Sequence, residues 1–474
     1  MMEGLRRAFS PKRVAVVGER KKRGYMFLSS MKTFKGELYS IQPDEKEWEG
    51  IKNLGIKNFP SLLDAPDEID YVLICVPRNV APLLLEQCIK KRVGGVAFFT
   101  AGFTETGTEE GERLERELVR RAKEAGIALI GPNCIGIYNP ELGIRNHPLQ
   151  PWGEKGNVGF ISQSGTFLQL FSFLAPEEGI RVSKAVSYGN GFVLDSPDYV
   201  RFMREDEDTR IIGMYIEGAR EPRRLFYEVR ETTPKKPVVI WRGGDTEGGK
   251  RATLSHTASL ASQDVIWETF IRQSGAIRVK SLKELLSVIK ALLYIKPFKG
   301  NRVGLIVTSG GLSVSVSDAF SREGFAIPSL SESSMERLSE FFNIIGGSYK
   351  NPLDTATTLL PSEDFVGTLE RMAVIVGEDP LIDILVLEIS LLFAHDKWRD
   401  EGFRKGFKSM LLRVRERIKK PMLVILTPFR EESCSEIKNE LLSSGICTYL
   451  SAEDGAYALR RVLDYYIWRG DGKA

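Results

Sequence analysis

Arg13-Val-Ala-Val-Val-Gly18 is the stretch that decides the fold. Four consecutive apolar residues, three of them β-branched, end on a glycine. A run apolar at every position, not at alternate ones, reads as a strand buried on both faces. The same pattern recurs outward along the chain. Glu37-Leu-Tyr-Ser-Ile-Gln42 is a second strand and Asp70-Tyr-Val-Leu-Ile-Cys-Val-Pro77 a third. Val93-Gly-Gly-Val-Ala-Phe-Phe-Thr100 is a fourth and Ile127-Ala-Leu-Ile-Gly131 a fifth. Between the last three lie helical stretches rich in Leu, Glu, Lys and Arg. Strands of this kind alternating with helices imply a parallel sheet covered on both sides. A Rossmann-like domain over residues 1–145 is expected.

The pattern restarts twice. His147-Pro-Leu-Gln-Pro-Trp-Gly-Glu-Lys-Gly156 is Pro- and Gly-rich and reads as a linker. After it come the strands Asn157–Ser162, Arg210–Ile216 and Pro237–Trp241, and an amphipathic helix over Ser281–Tyr294. Lys296-Pro-Phe-Lys-Gly-Asn301 is a second linker. A third unit opens with Arg302–Thr308 and a Ser309-Gly-Gly311 turn, and continues with strands Asp383–Ile389 and Pro421–Thr427. The expected fold is α/β, with three consecutive Rossmann-like or flavodoxin-like parallel-sheet domains over 1–145, 146–298 and 299–474.

A chain of 474 residues is too long for one core, which agrees with about three domains. The net charge is +3 with the signs interspersed, which points to neither nucleic acid nor an acidic membrane surface. The five cysteines show no CxxC spacing; a zinc site and a disulfide framework are not expected, and a reducing cytoplasm is. No signal region and no membrane-spanning stretch is read in the sequence. Abundant Lys, Arg and Glu beside scarce Gln and His are compatible with a thermophilic source.

Four places could carry chemistry. His256, one of three histidines, lies in Arg251-Ala-Thr-Leu-Ser-His-Thr-Ala-Ser-Leu-Ala261, just after the loop Arg242-Gly-Gly-Asp-Thr-Glu-Gly-Gly-Lys250. A loop imidazole is a nucleophile near neutral pH and can act as a carrier; the plainer alternative is an exposed loop residue. Ile161-Ser-Gln-Ser164-Gly165-Thr166-Phe joins a strand to a helix with small residues, so its backbone N–H groups suit phosphate. A capped tight turn is the alternative there. Glu217 ends an apolar strand, where open α/β sheets place their sites, and could orient an imidazole or be an ordinary strand-end acid. Arg20, Lys21, Lys22 and Arg23 follow Gly18 as a basic loop suited to phosphates or simply to solvent. Glu19 in the same loop would repel phosphates unless turned away. Neither a Walker A loop nor Gly-x-Gly-x-x-Gly nor Gly-x-Ser-x-Gly is present. Cys134 has no base named by the sequence and reads as packing in a turn.

In this order, Val14–Gly18, Thr100-Ala-Gly-Phe103, Gly131-Pro-Asn-Cys-Ile-Gly136, Ile161–Gly165, Ile216-Glu-Gly218 and Ser255-His-Thr-Ala-Ser-Leu-Ala261 resemble the α subunit of ADP-forming acetyl-CoA synthetase, in the succinyl-CoA synthetase superfamily. Gly300–Gly304, Gly310-Gly311 and Lys350-Asn-Pro-Leu-Asp354 resemble that family's C-terminal ligase domain. The sequence departs from the family at Gly18-Glu19-Arg20, at an early Gly24-Tyr25, at Gln42-Pro43 and at Ala258.

The resemblance implies an activity and its parts. Acyl-CoA, ADP and phosphate become carboxylic acid, ATP and CoA, through an acyl phosphate and a phosphohistidine on His256. Glu217 would support that histidine, and Ser164, Gly165 and Thr166 would hold phosphate. CoA would lie over the first domain against Gly18, Val76, Pro77, Thr100, Ala101, Gly102, Phe103, Asn133 and Cys134. ADP or ATP with Mg²⁺ would bind an ATP-grasp β subunit, in an α₂β₂ assembly, and this chain would hold no metal. Two alternatives stand beside this: a non-catalytic CoA-binding or regulatory relative, suggested by the altered Gly18–Gly24 loop, and a nicotinamide-dependent dehydrogenase, disfavoured by the missing glycine fingerprint.

Overall fold

The computed structural model describes residues 1–66, 68–249, 251, 264–392, 395–428 and 431–471. Three mostly parallel sheets carry the architecture, each with helices on both sides, so the expected fold class holds.

The first sheet has six strands: β1 (Arg13–Val17), β2 (Glu37–Ile41), β3 (Lys57–Phe59), β4 (Tyr71–Ile74), β5 (Gly95–Phe98) and β6 (Ala128–Ile130). They are all parallel, in the order β3-β2-β1-β4-β5-β6. This is the Rossmann order, and its direction reverses between β1 and β4. Burial explains the apolar runs: Val14, Ala15 and Val16 are fully buried in β1, as are all four residues of β4.

The second sheet contains β7 (Gly136–Tyr138), β8 (Val158–Ser162), β9 (Val182–Ser187), β10 (Ile211–Ile216), β11 (Val238–Arg242) and β12 (Ile277–Val279). Its order is β12-β11-β10-β8-β9-β7, parallel except that β7 runs against β9. Without β7 this is the flavodoxin order, with the switch between β8 and β10. The third sheet, β13 (Val303–Val307), β14 (Leu353–Asp354), β15 (Ile384–Ser390), β16 (Met422–Thr427) and β17 (Thr448–Tyr449), repeats that order and switches between β13 and β15.

The first two sheets share one compact unit, residues 1–176 and 180–285; residues 177–179 and 286–474 make the other. In the second unit the helices Phe365–Glu378 and Glu401–Ile418 bury Leu369, Met372, Met410 and Leu411 in the core with the third sheet.

Six strands go beyond the sequence expectation: β3, β7, β9, β12, β14 and β17. Five of them are two or three residues long, below the length at which periodicity is legible. The sixth, β9, hides behind Lys184 in Val-Ser-Lys-Ala-Val-Ser. That lysine is buried, and its ammonium sits 2.7 Å from Asp206 and 2.8 Å from Asp208. Pairing of this kind is what makes a buried charge tolerable inside a sheet.

Candidate functional site

Parallel α/β sheets bind ligands outside the carboxyl ends of their strands, where the strand order reverses. The first such place joins the ends of β1 and β4. Gly18 leaves β1 with φ of +82°, and a Cβ there would stand 2.5 Å from Val76 Cγ1. Only glycine allows the two turns to approach this closely. Thr100 Oγ1 donates to the Val76 carbonyl at 2.7 Å, and Asn133 N donates to the Thr100 carbonyl at 2.9 Å. The turns at Gly18, Val76-Pro77, Thr100–Phe103 and Asn133-Cys134 are therefore brought together along one edge. Asn133 takes the left-handed φ of 58°, which Asn tolerates better than most residues.

The two cysteines near this edge are structural. Cys134 is buried, and burial pushes its thiol up to about 12. Burial likewise raises Cys75 well above its ordinary value. Phe103 is fully buried, so of that turn it is Ala101 and Gly102 that reach solvent.

Glu19 is buried and turned inward. Its Oε2 accepts from the amides of Phe27 at 2.8 Å and Leu28 at 3.3 Å, capping the short helix Met26–Ser30. Burial raises its pKa, against those two hydrogen bonds. Gln42 holds the same turn by donating to the Glu19 carbonyl at 2.8 Å. Arg20, Lys21, Lys22 and Arg23 stay exposed. Glu19 is thus engaged by the helix amides, with Arg23 also lowering its pKa across the turn, and the four exposed cations fit a phosphate-bearing ligand such as CoA. Arg78, which follows Pro77 at the same edge, was not singled out in the sequence. It donates to the Gly102 carbonyl at 2.5 Å and pairs with Glu110 at 2.7 Å. Its signal was a cation directly after a buried strand and its proline.

The second place joins β8 and β10. Ser164 caps the helix Gly165–Leu174, accepting from Phe167 N at 3.4 Å, and Ser162 Oγ accepts from Ser164 N at 3.1 Å. The first-turn amides of Gly165 and Thr166 have no intrahelical acceptor, and the helix dipole adds positive potential there. Buried Gln163 reaches across to β10, and its Oε1 accepts from Glu217 N at 2.7 Å and Gly218 N at 3.2 Å. Glu217 is half-buried at the end of β10, and its Oε1 accepts from Tyr215 at 3.1 Å. Tyr215 packs with Phe167 and Trp241, the three ring centroids lying 4.4–4.6 Å apart, which walls this edge with aromatics. The sequence placed Ser164, Gly165, Thr166 and Glu217 here but gave no role to Gln163, the residue that pins them together.

His256 lies outside the described residues. The described residues that precede it in the chain start beside Glu217: Gly243 N donates to the Ile216 carbonyl at 2.8 Å, and a Cβ on Gly243 would stand 3.4 Å from Glu217 Cγ. His147 belongs to neither place; its ring packs against Phe173 and Nδ1 accepts from Leu149 N at 3.2 Å.

Comparison with known proteins follows this geometry. Residues 12–140 match the family model described as a CoA binding domain, and residues 155–292 match that of a succinyl-CoA ligase like flavodoxin domain. The α subunit of acetate–CoA ligase [ADP-forming] II from Pyrococcus furiosus is 34% identical over 459 residues, covering 95% of this chain and 96% of that one. The chain belongs to the family of ADP-forming acetate–CoA ligase α subunits. The isoenzyme I α subunit of the same organism is 31% identical and covered to 98%. Other relatives are longer: the chain spans about half, 48%, of the Methanocaldococcus jannaschii acetate–CoA ligase [ADP-forming], at 36% identity over 349 residues. Among solved structures, the Candidatus Korarchaeum cryptofilum dinucleotide forming acetyl-coenzyme A synthetase 1, in complex with phosphate and ADP, superposes with a TM-score of 0.83 at 27% identity over 100% of both chains. No helix among the described residues is long and apolar enough to cross a membrane.

Proposed function

We propose that this chain is the α subunit of an ADP-forming acyl-CoA (acetate–CoA) synthetase, an acid–thiol ligase. The reaction turns acyl-CoA, ADP and phosphate into carboxylic acid, ATP and CoA. One observation carries the reading: at the β8/β10 switch, Gln163 holds Glu217 against the amide-rich helix start at Ser164–Thr166, at the root of the His256 loop. The altered Gly18–Gly24 loop does not favour a non-catalytic relative, because the Glu19 carboxylate is engaged by the Phe27 and Leu28 amides while four cations stay exposed.

Of three domains, residues 1–145, 146–298 and 299–474, the first two carry the assigned roles. In the first, Gly18, Val76, Pro77, Thr100, Ala101, Gly102, Phe103, Asn133 and Cys134 form the CoA edge, mostly through backbone. In the second, the amides of Gly165 and Thr166 with Ser164 orient phosphate, whose oxygen attacks the thioester carbon while the thiolate leaves and is protonated. Nitrogen of His256 then takes the phosphoryl group from the acyl phosphate, releasing carboxylate. Glu217 stabilises the charge that grows on the imidazole, and the helix dipole offsets that of the phosphoryl group. ADP accepts the phosphoryl group in a separate ATP-grasp β subunit, which supplies the nucleotide and Mg²⁺ sites of an α₂β₂ assembly. A cytoplasmic setting suits these substrates. The relatives covered to 96% and 98% are named α subunits, which supports a separate partner subunit.

The test is labelling with radioactive phosphate and acetyl-CoA, with and without the ATP-grasp partner, beside His256→Ala. Acid-labile, base-stable label that disappears in the variant is expected. No label in any mixture containing the partner refutes the phosphohistidine reading.

A further inference from the structure

The proposed reaction brings together two groups held by different sheets: a thioester over the first and a phosphate over the second. Attack requires reacting atoms about 3–3.5 Å apart and aligned. The loops that hold them therefore need a fixed register, and a continuous hydrogen-bonded chain runs between them inside one compact unit. Half-buried Glu105 uses both carboxylate oxygens. Oε1 accepts from the Gly102 amide at 2.7 Å, and Oε2 accepts from Asn190 Nδ2 at 2.7 Å. Asn190 is buried in the turn after β9; its own amide donates to the Pro132 carbonyl at 3.0 Å, and its Oδ1 accepts from Asn133 Nδ2 at 3.5 Å. The Asn190 carbonyl in turn accepts from Arg220 Nε at 3.0 Å.

Arg220 stands three residues beyond Glu217, and its backbone position is fixed as well. Its amide donates to Asp195 Oδ2 at 2.8 Å, its guanidinium lies 5.0 Å from the centre of the Phe192 ring, and Nη2 reaches Glu115 at 3.3 Å. Phe192 packs edge-on against Phe103 of the first sheet's turn, 5.8 Å between centroids. Charge, hydrogen bond and ring contact thus all converge on the same seam between the Thr100–Thr106 turn and the Glu217–Arg220 loop. None of the three polar residues belongs to the group that contacts the reacting atoms.

We propose that Glu105, Asn190 and Arg220 are positioning residues that couple the CoA-facing turn at Gly102 to the loop carrying Glu217, setting the distance between thioester and phosphate. The coupling rests on the functional reading above. It predicts a donor–acceptor polarity and, unlike a merely structural seam, a loss of kcat without a loss of CoA affinity. Glu105 must accept twice and Asn190 must donate. Asn190→Asp sets carboxylate against carboxylate; Glu105→Gln gives one acceptor where two are needed. The double variant E105Q/N190D reverses the donor and acceptor: the introduced amide accepts from Gly102 N and donates to the introduced carboxylate.

The experiment measures acetyl-CoA phosphorolysis with the partner subunit, CoA affinity by calorimetry, and amide exchange with and without CoA, in the unsubstituted chain, N190A, N190D, E105Q and E105Q/N190D. Asn190→Ala leaves the Glu105–Gly102 bond intact, so CoA affinity is expected to stay within about twofold while kcat falls on the order of 10- to 100-fold, the cost of misplacing reactants by about 1 Å. CoA is expected to slow exchange in the Glu217–Arg220 loop of the unsubstituted chain and not of N190A. E105Q/N190D is expected to recover most of the kcat lost in N190D. Unchanged kcat in N190A and N190D, or no recovery in the double variant, overturns the coupling while leaving the functional reading in place. An unsubstituted chain that neither binds CoA nor turns over refutes the functional reading, and the coupling falls with it.

Discussion

Gly18→Ala is the sharpest test of the edge proposed for CoA. The added methyl would stand 2.5 Å from Val76 Cγ1 and 3.2 Å from the Cys75 carbonyl oxygen, on a backbone with φ of +82°. Left-handed backbone costs an L-residue about 1–2 kcal/mol, and forcing a methyl into a filled space costs about 1–3 kcal/mol. The sum is a local destabilisation of about 2–5 kcal/mol. It is best read as the opening free energy of the β1 amides Val14–Val17 by native-state hydrogen exchange, because a multidomain chain does not melt in one step. Val76→Ala removes the atom that the methyl meets. In G18A/V76A about 1–3 kcal/mol should return and about 1–2 kcal/mol remain. CoA affinity should drop on the order of tenfold, ~1.4 kcal/mol, in G18A. A change below about 0.5 kcal/mol in G18A, the level of an ordinary surface substitution, would refute the close approach. Failure of V76A to restore anything would show that strain, not contact, holds the glycine.

Two further outcomes rest on buried charge. Lys184→Met removes the cation that Asp206 and Asp208 share inside the second sheet, and should cost about 3–5 kcal/mol, seen as early loss of β9 protection. Asp208 has its pKa lowered by hydrogen bonds from Lys155 first and then Lys184. Its stabilisation is present above the ordinary carboxylate pKa and is lost as pH falls through the lowered value, so the acid-limb loss should shrink in K184M; an unchanged acid limb in a pH series of melting temperatures would count against the pairing. Glu19 has the opposite sign. Burial raises its folded pKa, so its contribution is complete below the ordinary carboxylate pKa and is lost as pH rises through the raised value. Glu19→Gln should raise the melting temperature near pH 7.5 and lose that advantage near pH 4; an equal effect at both values would contradict the inward placement.

Much of the site was legible because it is built from local signals. Gly18, Ser164-Gly165-Thr166 and Glu217 each end or follow an apolar strand, and a parallel strand sends its carboxyl end to the side where ligands bind. The residues without a local signal share a different property. Gln163, Asn190 and Arg220 gain their roles from partners 54, 85 and 30 positions away. Arg78 depends on the turn at Gly102, 24 positions on. Such pairs leave no periodicity in the sequence. The short strands β3, β14 and β17 escaped for a related reason, since two or three residues held by a neighbouring strand carry no pattern of their own.

The sequence by itself determined the fold class and the repetition of strand, glycine turn and helix, because continuous apolar runs and small-residue turns are imposed by burial on both faces and by backbone geometry at each position alone; the family came from the resemblance of its ordered motifs. Tertiary structure decided what those positions do together. It placed Gly18 against Val76, set Gln163 across to Glu217, and joined Glu105, Asn190 and Arg220 along one seam. It also decided that Glu19 faces inward as a helix cap while Arg20, Lys21, Lys22 and Arg23 stay exposed. Strand order is the physical reason. Which loop ends meet depends on how the chain crosses from strand to strand, and that is fixed only when distant segments pack.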